Sequence, residues 1–222
     1  MIQRKRIYEK AAPSRDAQKI YVFCEGDERE KEYFEFFEGM SSNLEIIPIA
    51  PYDHKSSPNN LMTQAESLFY GDTPNFEIDY EQHDMIWFVI DTDEWAEAGL
   101  IRLLRHYCEE KNSGIKYTAW CVAQSNPSFE IWLYYHVYAK MPNEKEVKAC
   151  NSFKDYVNGK ILGGFDSRIM PIYIENAITN SKANYATNDD GPSKYSTEVY
   201  MLGEYIVKYA KYELQIKKRT IV

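Results

Sequence analysis

The stretch MIWFVIDTDE (85–94) decides the fold. Its first six residues are apolar, rich in aromatic and β-branched types, with no polar–apolar alternation. Such a run suits a strand covered on both faces, as in a parallel sheet with helices above and below. It is far shorter than the ~20 apolar residues of a membrane span. The run then meets Asp91-Thr92-Asp93. Alternation along an extended chain sends residues i and i+2 to one side, so both carboxylates can share one site.

Working outward, KIYVFCEG (19–26), LEIIPIAP (44–51) and IKYTAWCVAQ (115–124) read as further strands. Helical spacing fills the gaps. Asp27 to Glu38 offers Tyr33, Phe34, Phe36 and Phe37 as an apolar face, with Asp27 as its cap. Residues 58–70 place Leu61, Ala65 and Leu68 together, and helices are expected over 95–112 and 129–139. Residues 71–83 read as loop. This alternation predicts an α/β fold with a largely parallel sheet.

Beyond Pro142 strand signals become few. Helices are expected over 144–157, 170–186 and 195–218, with loops at 159–164 and 187–192. The division is a basic segment at 1–18, an α/β core at 19–140 and a helical annex at 141–222 packed on that core.

The 222 residues are 44% hydrophobic and 27% charged, enough to build a core and too apolar for wholesale disorder. Lys and Arg number 26 against 34 Asp and Glu, a net charge of −8. Residues 1–19 and 208–222 each carry +4, so the 15 basic and 31 acidic groups between them sum to −16. An acidic middle repels a phosphate backbone unless cations intervene, which excludes a simple basic-patch binder and leaves a metal-dependent enzyme open. The four cysteines form no C-x-x-C pair, which argues for packed thiols in a reducing cytoplasm. The N-terminus has no apolar segment of the secretory type. No P-loop pattern is present, so the chain is not expected to hydrolyse ATP.

Acids gather where open α/β sheets bind ligands, beyond the carboxyl ends of strands. They are Glu25 before Gly26, Asp91 and Asp93, and Glu130 after the break at Ser125-Asn126-Pro127. Carboxylates so gathered suit Mg²⁺ or Mn²⁺, one ion or two.

A strand ending in Glu-Gly, a helix and a later strand ending in D-x-D together resemble the Toprim fold of topoisomerases, bacterial primases and OLD nucleases. More narrowly, VFCEGDEREKEYF (22–34), DTDE (91–94) and above all SNPSFEIWLYYH (125–136) resemble the RloB family of bacterial phage-defence proteins. Looser similarity extends to AITNSKANYA (177–186) and PSKYSTEVYML (192–202). One departure is Arg29, where the family usually has Thr before the second glutamate, Glu30.

The resemblance implies a Toprim-like Rossmannoid core and metal-dependent phosphodiester hydrolysis of DNA or RNA, tRNA included. It implies that Glu25 is a metal ligand or general base, that Asp91 and Asp93 are metal ligands, and that Glu130 holds a second metal. Ser128 either supports Glu130 or caps the following helix. Glu30 either completes the cluster or is solvated on a surface helix. Lys182 either faces the scissile phosphate or is an ordinary surface lysine. His136, on an aromatic helix, reads as a satisfied half-buried histidine. The implied setting is abortive infection in the cytoplasm, with an ABC- or AAA-type ATPase encoded nearby and no membrane; a homo-oligomer stays open. The rival reading is a non-catalytic regulatory subunit of a defence ATPase complex.

Overall fold

The computed structural model describes residues 10–92, 99–188 and 191–221. Its centre is a four-stranded, wholly parallel sheet of β1 (Gln18–Cys24), β2 (Leu44–Ile49), β3 (Met85–Asp91) and β4 (Trp120–Ser125), in the order β2-β1-β3-β4. Every residue of β3 is buried, as its unbroken apolar run requires.

The connections place helices on both faces. From β1 the chain crosses through α1 (Arg29–Glu35), from β2 through α2 (Pro58–Tyr70) and from β3 through α3 (Leu100–Lys111). Tyr21, Phe23, Ile86, Phe88 and Ile90 point to one face, against Leu61 and Leu68 of α2 and Leu104 of α3. Ile20, Val22, Met85, Trp87 and Val89 point to the other, against Tyr33 and Phe34 of α1 and the helices after β4. Those helices are α4 (Glu130–Tyr135), α5 (Glu144–Lys148), α6 (Phe153–Lys160), α7 (Ile174–Ala183) and α8 (Val199–Ile221). Leu202 and Ile206 of α8 belong to the same apolar cluster as β1 and β3, and the Tyr205 ring lies 6.1 Å from Trp87. The C-terminal helices thus form one layer of the molecule.

Several sequence expectations need correction. Strand β4 starts at Trp120, five residues later than its β-branched pattern suggests. The Asn112 side chain accepts from the backbone N–H groups of Ala119 and Trp120 (2.8 and 2.9 Å), which ties the chain to the end of α3 where the strand begins. Helix α4 stops at Tyr135 instead of running to 139, and Asn180 and Asn184 donate to the Tyr135 and Ala139 carbonyls. The helix expected over 144–157 is two, with Ser152 capping α6 through Asp155 N (3.0 Å). Residues 187–192 are not all loop: β5 (Thr187–Asn188) and β6 (Gly191–Pro192) form a small hairpin. Asp27 does not cap α1; its carboxylate pairs with His54.

The last helix begins at Val199, not Tyr195. Residues 195–198 run antiparallel to the end of β4: Tyr195 N donates to Asn126 O (2.7 Å), Asn126 N to Ser196 O (2.9 Å) and Glu198 N to Gln124 O (2.8 Å). Tyr195 makes the turn at φ 66°. Cys24 and Cys108 are buried, Cys121 is half-buried and Cys150 is exposed, so tight packing holds only for the first two. Among the described residues no helix is long and apolar enough to cross a membrane.

Candidate functional site

The strand order reverses direction between β1 and β3: the chain leaves β1 toward β2 on one side and continues from β3 toward β4 on the other. A crevice opens at such a switch point, beyond the carboxyl ends of the two strands. Glu25 follows β1 and Asp91 ends β3, so the topology alone puts them on its two sides. Glu25 Oε2 accepts from the backbone N–H of Asp91 (2.7 Å). Asp91, only 7% exposed, turns its carboxylate to the first turn of the next unit, where Oδ1 accepts from Phe129 N (2.8 Å).

Glu30 and Glu130 complete the edge. Glu130 is 5% exposed and takes a hydrogen bond from Ser128 Oγ at 2.7 Å. Ser128 therefore supports Glu130 and does not cap α4. Glu30 is 6% exposed, which corrects the solvated alternative, and its Oε2 has no hydrogen-bond partner among the described residues. Burial pushes the Glu30 carboxyl above the ordinary range and the nearby Glu130 charge adds to the rise; its own backbone N–H, Lys154 and Arg29 oppose it. Gly26 explains how an acid fits there: a Cβ on Gly26 would lie 1.8 Å from Glu30 Oε2. The Glu-Gly pair is thus a cradle for the second glutamate of its own motif.

Asp93 lies outside the described residues. Lys182 sits on α7, where its ammonium bonds Glu204 at 2.6 Å and lies 5.8 Å from the Tyr200 ring centroid. Those contacts tie it to α8. His136 is more deeply buried than expected, at 4% exposure. Its Nδ1 donates to Trp132 O (3.0 Å), which leaves Nε2 to accept from Tyr33 (3.1 Å). Burial drives its pKa down to about 3, so the ring is a neutral structural link. Trp132 is fully buried in the layer shared by α4 and α8.

Sequence reasoning missed four residues behind Asp91. Gln124 donates to Thr92 Oγ1 (2.8 Å), and Arg105 donates to both Gln124 Oε1 (2.8 Å) and Glu198 Oε2 (2.7 Å). The available signal was Thr92 itself, the middle residue of the D-x-D. Glu198 was hidden in a segment read as helix.

A family model described as RloB-like protein matches residues 20–206. The chain belongs to the RloB family. No curated protein and no solved structure matches it. The RloB match spans the four parallel strands, the acid edge, α4 to α7 and the first third of α8, so most of the helical layer belongs to the family unit along with the sheet.

Among the described residues no three His, Cys, Asp or Glu side chains close on one point in a ready-made ion site. The donors nonetheless suit a hard divalent cation. All are carboxylate oxygens, and Glu30 contributes one that is buried, lacks a donor and lies beside a second acid.

Proposed function

We propose that this RloB-family chain hydrolyses phosphodiester bonds in nucleic acid with a divalent cation held at the carboxyl edge of its sheet. The observation that carries this reading is the buried Glu30 oxygen, with no partner among the described residues, set beside Glu130 near the switch point flanked by Glu25 and Asp91. Buried carboxylates are costly unless paired or ligated, and acids with displaced pKa values concentrate at working sites. Glu25, Asp91, Glu30 and Glu130 would supply its ligands, drawing closer to reach one ion than they stand in the structure, and the sequence adds Asp93 to that set. A bound Mg²⁺ or Mn²⁺ supplies Lewis-acid polarisation of a phosphate and lowers the pKa of a water.

The chain's own groups then divide the work. Glu30, whose pKa is raised by burial, is a stronger base than an ordinary carboxylate and is suited to take a proton from an attacking water. Asp91 is fixed by the Phe129 N–H, which limits its motion as charge develops. The resemblance of the family to phage-defence proteins supports a role as a defence effector governed by an ATPase partner. With −16 between the basic ends, the acidic chain would approach phosphate only with cation assistance.

The test is incubation of the purified chain with plasmid DNA and with total RNA, in Mn²⁺ or in chelator. Cleavage that needs Mn²⁺ and disappears in Asp91→Asn is expected. That variant keeps an oxygen for Phe129 N, so the bond that orients the side chain is retained. No cleavage under any condition, alone or with its genomic neighbour, would favour the regulatory-subunit reading.

A further inference from the structure

Behind the acid edge lies a chain of side chains that begins at a cation and ends at the D-x-D. Arg105 on α3 donates through one nitrogen to Glu198 Oε2 (2.7 Å) and to Gln124 Oε1 (2.8 Å). Glu198 is 7% exposed; the same Oε2 also accepts from Gln124 N (3.0 Å), and Tyr185 donates to its Oε1 (3.3 Å). With its carbonyl so held, the Gln124 amide directs Nε2 onto Thr92 Oγ1 (2.8 Å). The Thr92 hydroxyl donates to Ser125 O (2.8 Å), and the Thr92 N–H donates to Pro127 O (3.0 Å). Every donor in this series points the same way, from guanidinium to amide to hydroxyl to carbonyl, so each bond polarises the next. Gln124 is 1% exposed, and Gly191, at φ +128°, lets the chain pass so close that a Cβ there would come within 2.6 Å of Gln124 Oε1.

The series joins distant parts of the sequence. Arg105 comes from the helix after β3, Gln124 from β4, and Glu198 from the segment that runs back along β4 before α8. If the Arg105–Glu198 pair only stapled that segment to the sheet, a bond from Glu198 to the β4 backbone would suffice. The continuation through Gln124 to Thr92 has no such need.

We propose that Arg105 and Glu198 are positioning residues, which act through Gln124 to fix Thr92 and thereby the direction of the Asp91 carboxylate. This rests on the reading of the edge as a cation site. Outer partners that orient ligands commonly change metal affinity ~10–100-fold when removed. The network also assigns work to the PSKYSTEV stretch: its Glu198 serves the metal edge from 106 residues beyond Thr92 in sequence.

The test compares Thr92→Val, Thr92→Ser, Arg105→Met and the Thr92→Val/Arg105→Met double variant. Two readouts are taken on the full chain: hydrogen exchange at the Thr92 amide, and calorimetric titration with Mn²⁺ alone. Thr92→Val cuts the series while leaving the Arg105–Glu198 pair in place, and Thr92→Ser restores the hydroxyl. Thr92→Val and Arg105→Met are each expected to speed exchange at Thr92 and to weaken Mn²⁺ binding by about tenfold. Thr92→Ser should stay near the unaltered protein, and the double variant should be no worse than the weaker single one. Arg105→Met that lowers the melting temperature but changes neither exchange at Thr92 nor Mn²⁺ affinity would overturn the proposal. An unaltered protein that takes up no Mn²⁺ would sink the cation reading instead, and the exchange rates would still decide the clamp.

Discussion

Glu30 keeps one carboxylate oxygen buried, beside Glu130 and without a donor among the described residues, whose hydrogen bonds do not offset that cost. Because burial raises its pKa in the folded state, folded Glu30 holds a proton at pH values where the unfolded chain has lost it. Its contribution to stability is therefore present at acidic pH and falls as pH rises from the ordinary carboxylate range through the raised value. Glu30→Gln removes that penalty. In chelator, the variant should melt close to the unaltered protein near pH 4 and above it at pH 8, the gap opening between. Added Mn²⁺ should reverse the order, since an ion bound only by the folded unaltered protein stabilises it by mass action. A variant less stable at pH 8 in chelator would mean that the carboxylate has a favourable protein partner after all. His136, neutral and doubly bonded in the same layer, contributes a slope of opposite sign below about pH 6.5, so the comparison must be made between variants and not across pH alone.

At the scale of elements, the turn from β1 into α1 links strand, cradle and acid. A methyl at Gly26 would overlap Glu30 Oε2. Gly26→Ala should therefore cost ~1–3 kcal/mol, the usual penalty for overpacking, and should displace Glu30 enough to weaken Mn²⁺ binding. Urea melts and calorimetry read the two effects; unchanged stability would show that Glu30 can swing away freely. Glu25 and Asp91 were legible in the sequence because a strand end fixes where a residue lies once the parallel sheet is recognised. The burial of Glu30 was not, because a seven-residue helix rich in acids gives no sign of which one turns inward. The clamp was hidden for another reason. Residues 195–198 carry spacing that continues naturally into α8, and only pairing with a strand some 70 residues earlier draws them out of the helix. Local pattern cannot report a long-range bond of that kind.

For the molecule as a whole, the acid edge depends on all three layers. The sheet supplies Glu25 and Asp91, α1 supplies Glu30, and the helical layer supplies Glu130 and, through the segment before α8, Glu198. Four-strand parallel topology and the helical character of the C-terminal half were legible from apolar runs and the loss of strand signals. Their fusion around one apolar cluster was not, since helix spacing identifies a buried face without naming what it covers. Charge distribution bears on the proposal: a −16 middle makes it costly to bring carboxylates together, a cost that a cation shared among them would offset. The most direct test of that claim is Mn²⁺ electron paramagnetic resonance on the purified full chain at neutral pH. Bound Mn²⁺ should saturate at one or two ions per chain, and Asp91→Asn should lose that uptake while remaining folded by circular dichroism. Mn²⁺ that stays free to millimolar concentration, or binds equally to Asp91→Asn, would contradict the account.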